Sequence, residues 1–105
     1  MAYKLIVTDH ADELIDRLAG YLVDKLKNTD AAKHFLNELE DVYSHLEDNP
    51  FMFAESPDKS LAKRGYRIAL FHSMSYRVVF RVDKQKVYIV GIYHDLEDYG
   101  NKVKD

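Results

Sequence analysis

Arg77, Arg81 and His94 lie within one stretch, SYRVVFRVDKQKVYIVGIYHDLEDY from Ser75 to Tyr99, whose residue types and spacing suit the handling of an anion beside a titratable group. An arginine is a fixed cation whose planar fork matches phosphate, and a histidine changes charge near neutrality. Alternation along an extended segment separates Tyr76, Val78, Phe80 and Val82 from Arg77, Val79 and Arg81. One face is apolar and the other carries guanidiniums. Asp83 to Lys86 is a polar connection of hairpin length, and Val87 to His94 returns as VYIVGIYH, rich in β-branched and aromatic residues. If Val82 pairs with Val87, then Arg81 faces Tyr88, Val79 faces Val90 and Arg77 faces Ile92, with His94 one pair further on. That register makes Arg77 and His94 diagonal neighbours on one sheet face.

Several other elements must position this hairpin. Tyr3 to Thr8 reads as an opening strand, with Asp9 as the N-cap of a helix that carries Ala11, Leu14, Ile15, Leu18, Leu22 and Leu26 at helical spacing and ends near Lys27. Asn28, Thr29 and Asp30 break and recap the chain, and Phe35, Leu36, Leu39, Val42, Tyr43 and Leu46 mark a second helix, stopped by Asn49 and Pro50. Helices joined so tightly form an antiparallel hairpin. NPFMFAESPDKSLAKRG reads as a surface connection, GYRIALFH from Gly65 to His72 as a strand, and Ser73 to Ser75 as a turn. The expected fold is α+β: a strand, two helices, then a three-stranded antiparallel meander, with one helical layer on one sheet. The polar residues from Gly100 to Asp105 are expected to fray.

Composition narrows the function classes. The chain has 105 residues, 47% of them hydrophobic, enough for one domain over residues 1–105 with a single modest core. Cysteine is absent, which rules out a disulfide framework and a thiolate metal site and fits a reducing compartment, so a cytoplasmic location is expected. No apolar run approaches the roughly 20 residues of a membrane span, and MAYKLIVTDH turns acidic too soon for a signal peptide. The net charge of −3 hides an asymmetry: residues 1–58 hold 5 basic and 13 acidic side chains, residues 59–105 hold 10 and 5. Lys59, Lys63, Arg64 and Arg81 belong to a basic run that would attract a nucleic acid or another polyanion, or simply guard a solvated sheet edge.

The order of elements, the GYRIALF, SYRVVFRV and VYIVGIYH strands and the closing H-x-x-x-D-Y resemble the RelE/ParE superfamily of bacterial toxins over nearly the whole chain. The resemblance implies the toxin of a type II toxin-antitoxin module, neutralised by a cognate antitoxin that wraps an extended or helical segment over it. RelE-like members cut mRNA on the ribosome as metal-independent endoribonucleases, whereas ParE-like members inhibit DNA gyrase without nuclease chemistry. A degenerate member acting only as a binding module is a third outcome, and a homodimer is left open. No cofactor and no metal are expected, because His94 with Asp95, Glu97 and Asp98 lacks a second nearby histidine.

For RNA cleavage, the resemblance assigns Arg77 as the phosphate clamp, Arg67 as its assistant from the preceding strand and His94 as the proton carrier, supplemented by Tyr99 or Tyr93. Two departures count against it: Ala69 stands where RelE-like enzymes tend to have a lysine, and Leu96 and Glu97 replace the basic pair after the histidine. Asp95, Glu97 and Asp98 would repel phosphate there. Arg77 and Arg81 have a structural alternative, as partners of carboxylates on the acidic helices, and His94 has one as a strand-end histidine. His10, His34, His45 and His72 read as ordinary, and the tyrosines and phenylalanines of the strands as core or cross-strand pairs.

Overall fold

A computed structural model describes residues 2–97 and 99–103. Strand β1 spans Lys4–Val7, helix α1 Asp9–Asp24 and helix α2 Thr29–Asp48, followed by a 3-10 turn at Pro50–Met52 and a short helix α3 at Lys59–Lys63. Strands β2, β3 and β4 cover Tyr66–Leu70, Tyr76–Asp83 and Lys86–His94, and a second 3-10 turn occupies Tyr99–Asn101.

The helix boundaries follow from local hydrogen bonding. Thr8, not Asp9, caps α1: it is extended, and its hydroxyl accepts from the Ala11 N–H at 3.2 Å, leaving Asp9 and Asp12 in the first turn against the helix dipole. The helix stops at Asp24, short of Lys27, because Lys27 takes a positive φ of 52° and the chain reverses there. Asn28 then caps α2, its side chain accepting from Ala31 N–H at 2.9 Å. The apolar stripes of both helices, including Ala11, Ile15, Leu22, Phe35, Leu39, Val42 and Leu46, are buried against the sheet.

The sheet runs β1-β4-β3-β2. The meander of β2, β3 and β4 is antiparallel as expected, and β1 joins β4 in parallel, Lys4 opposite Lys86 and Val7 opposite Ile89, with the helical hairpin as the crossover. The β3–β4 turn is tight: Asp83 pairs with Lys86, and Lys84 carries φ of 58°.

Three expectations are corrected. The guanidinium face is not bare, because α3 and the chain after β4 cover part of it: Leu61, Tyr66, Ile68, Val79, Val90, Tyr93, Tyr99 and Val103 make a second buried cluster behind the sheet. The connection after α2 is more than a surface loop, since residues 54–56 bond the outer edge of β2 (Ile68 N–H to the Ala54 carbonyl, 3.1 Å; Ser56 N–H to the Tyr66 carbonyl, 3.0 Å). Five residues of helix leave no readable period, which hid α3 from the sequence. Finally, the tail does not fray from Gly100: Val103 is buried, and Tyr93 Oη donates to the Lys102 carbonyl at 3.2 Å. Lys104 and Asp105 lie outside the described residues.

Candidate functional site

The candidate site depends on the β3–β4 register. Val82 opposite Val87 and Arg81 opposite Tyr88 hold as read, but a bulge follows: Phe80 pairs with Ile89 and Val79 with Gly91, leaving Val90 as the extra residue. Beyond it every partner moves by one, so Arg77 faces Tyr93 and Tyr76 faces His94. A one-residue slip exchanges the faces of all later side chains. His94 therefore shares the helix-side face with Tyr76, and Arg77 lies on the other face; the expected diagonal pair is not formed.

Arg77 is 18% exposed at its side chain and engaged within the chain. Its Nε donates to Asp95 Oδ1 at 3.1 Å, and a terminal guanidinium nitrogen donates to Tyr99 Oη at 3.2 Å. Burial works against its charge, but the hydrogen bonds to Tyr99 and Asp95 and the negative charge of Asp95 prevail and raise its pKa. Its ion-pair partner thus comes from the turn after β4, not from the acidic helices. Tyr99 stacks on Tyr93 with ring centroids 5.7 Å apart and planes 19° from parallel. Burial, then the charge of Glu97, push Tyr93 up to about 12.

Arg67 alternates to the helix-side face, opposite Phe80. A guanidinium nitrogen donates to the Phe53 carbonyl at 2.7 Å, and the group lies 5.1 Å from the Phe51 ring centroid. The sequence held no sign of this, because Phe51 and Phe53 sat in a segment read as a loop. His94 meets Tyr76 edge to face, centroids 5.5 Å apart, and its Nδ1 accepts from the Leu96 N–H at 3.1 Å, which assigns the neutral ring's proton to Nε2. Tyr76 is raised by burial first, then by Tyr21 and Glu97.

The acidic turn is largely spoken for. Asp95 belongs to Arg77; Glu97 accepts from Lys102 Nζ at 3.0 Å and from the His94 N–H at 3.2 Å. Partial burial pushes the Glu97 carboxyl up, but those bonds and the charge of Lys102 hold it below the usual range. Asp98 lies outside the described residues.

The structure thus joins Arg77 with Tyr99 and sets Arg67 and His94 on the opposite face. A phosphate seated on Arg77 would have the sheet between it and Arg67. General acid-base cleavage needs its cation and proton carrier to converge on one reacting centre, and these do not. Of the four basic residues, Lys59, Lys63 and Arg64 are exposed and Arg81 is half-exposed. Ser73, His34 and Glu38 also come together: Glu38 accepts from the Ser73 N–H at 2.8 Å, and His34 Nε2 contacts both Ser73 Oγ and Glu38 Oε2. Because one nitrogen faces both partners, no relay runs through the imidazole; the trio ties α2 to the β2–β3 turn.

Residues 5–99 match the family described as ParE toxin of type II toxin-antitoxin system, parDE. Among curated proteins none matches by sequence. Two solved structures share the fold at 18% identity. One is a chromosomal ParDE toxin-antitoxin system from P. aeruginosa, with a TM-score of 0.72 over 89% of this chain and 96% of the other. The second is the toxin-antitoxin complex RelBE2 from Mycobacterium tuberculosis, with a TM-score of 0.62 over 90% and 99%.

Proposed function

This chain belongs to the ParE toxin family of type II toxin-antitoxin systems, and from that premise we propose that it arrests growth by binding DNA gyrase, held in check by a cognate antitoxin, and not by cutting mRNA. The observation that carries the choice is the placement of Arg67 and Arg77 on opposite faces of the sheet, with Arg77 engaged by Asp95 and Tyr99. A nuclease would have to break those contacts and rebuild its site across the sheet. A binding inhibitor needs a stable surface and no convergent acid and base. The antitoxin assignment is supported by the family and by the two fold relatives, both described as toxin-antitoxin assemblies. Among the described residues no helix is long and apolar enough to cross a membrane.

The test is a pulse of labelled amino acid and labelled thymidine in a bacterial host minutes after induction, beside a supercoiling assay with purified gyrase. Continued amino-acid incorporation, falling DNA synthesis and stoichiometric loss of supercoiling are expected. A collapse of incorporation with fragmented mRNA, rescued by Arg77→Ala at equal expression, would restore the nuclease reading and remove this one. Substitutions on the exposed side of the α1–α2 hairpin should lower gyrase inhibition more than Arg77→Lys does.

A further inference from the structure

Helix α1 carries a glycine that the chain itself does not use. Gly20 sits in the interior of this 16-residue helix, where it costs helix propensity, yet a Cβ built on it would meet nothing within 4 Å. It floors a shallow, open groove of about 350 Å³ whose other lining residues are Arg17, Tyr21, Asp24 and Lys25. Tyr21 is 52% exposed and Val23 38%. Arg17, Gly20 and Asp24 follow one another at steps of three and four, so they form one stripe along the helix, with Tyr21 on one flank and Val23 on the other. Among the described residues the ion pair of Arg17 is with Glu13, 3.8 Å away with both side chains more than two-thirds exposed, and such a pair holds it weakly.

The charges of this stripe complement themselves under a twofold axis, and from that we infer that the face docks a second copy of the chain, helix α1 against helix α1 and antiparallel. With the axis between Gly20 and Tyr21, Arg17 stands level with Asp24 of the second copy, and Asp24 with its Arg17, which makes two equivalent ion pairs. A parallel pair would set like charges level. The axis also brings like flanks together. Tyr21 meets its counterpart on one side; on the other, Val23 enters the gap left by Gly20 of the second copy, where the missing side chains let the two backbones approach. A small molecule is the weaker occupant, because the groove is too open to enclose one. One helix about 24 Å long covers less than a standard interface, so the dimer is weak and forms only at high concentration. The inference stands independently of the gyrase assignment.

The test is analytical ultracentrifugation of the full chain at low salt, over concentrations from about 10 µM to about 1 mM, with thermal unfolding of each variant as the check on folding. A monomer–dimer equilibrium with a Kd on the order of 100 µM is expected, weakening as salt is added. Gly20→Leu fills the gap and improves helix propensity, so it should raise the thermal midpoint while weakening association about 10-fold or more. Asp24→Arg sets arginine against arginine at both ion pairs, suits the C-terminal end of the helix, and should weaken association by a similar factor, about 10-fold. The exchanged variant Arg17→Asp/Asp24→Arg should return the Kd to within about 3-fold of the unaltered chain. Two full turns separate these residues within one helix, too far to pair there, so rescue reports contact between copies. A chain still monomeric at the highest concentration, association untouched by Gly20→Leu and Asp24→Arg, or no rescue in the exchanged variant would each overturn the inference. A chain monomeric throughout whose Gly20→Leu variant no longer inhibits purified gyrase would give the face to gyrase and overturn it as well.

Discussion

At the scale of residues, Arg77 shows how a side chain with the chemistry of a phosphate clamp can be used to hold a fold. Its two hydrogen bonds reach Asp95 and Tyr99, both in the segment that closes the second buried cluster, so the guanidinium works as a tie between β3 and that segment. Hydrogen bonds to charged groups in partly buried settings are worth about 2 kcal/mol, and Arg77→Ala should lower stability by that order, read as a lower urea midpoint. Asp95→Asn should cost less and should couple to it in a double-mutant cycle. An unchanged midpoint would mean the tie is ornamental. The arginine was legible in the sequence as a candidate for chemistry; its partner was not, because a carboxylate eighteen positions away is selected by packing and not by spacing.

At the scale of elements, the β4 bulge decides the site. Val90 and Gly91 both face the second cluster, and the bulge swings Tyr93 onto the same face. Gly91 is required there: a Cβ at that position would come 2.6 to 2.8 Å from the ring edge and hydroxyl of Tyr93, and the side chain, buried and stacked on Tyr99, has little room to give. Gly91→Ala should therefore cost about 1–3 kcal/mol, the usual penalty of overpacking. The same substitution in a Tyr93→Ala background should cost much less, measured by denaturant unfolding of the four proteins in the cycle. Equal costs in both backgrounds would place the role of Gly91 in the backbone alone. The helices needed no such rescue, since their apolar period and caps were readable within a residue or a few of the observed ends.

At the scale of the whole molecule, two tyrosines on opposite sides of the sheet set the alkaline limit. Tyr43, raised by burial and then by the charge of Asp12, and Tyr93 are each held from an ordinary 10.0 up to about 12. A folded state that keeps these protons where the unfolded chain releases them is fully stabilised below pH 10 and loses stability as pH rises toward about 12. Thermal midpoints should fall across that window. The Tyr43 hydroxyl has no hydrogen-bond partner among the described residues, so Tyr43→Phe should change stability near neutrality by less than about 1 kcal/mol and flatten the alkaline fall. Midpoints that drop as steeply in Tyr43→Phe would assign the limit elsewhere. Glu97 acts in the opposite sense: its lowered carboxyl contributes above the usual value of 4.5 and is lost as pH falls through its folded value.

The sequence by itself determined the order of elements, the two amphipathic helices, the three antiparallel strands and the first pairs of the β3–β4 hairpin, because periods of 3.6 and 2 and the chemistry of caps and turns are local and leave their mark within a few residues. Only the tertiary structure decided which of these residues meet. The bulge that separates His94 from Arg77, the cover of α3 and the tail over Tyr93 and Val79, and the seat of Arg67 beneath Phe51 all arise from contacts between distant segments. A slip of one residue inverts a strand's faces at little local cost, and what selects the register is the fit of two buried clusters on either side of the sheet.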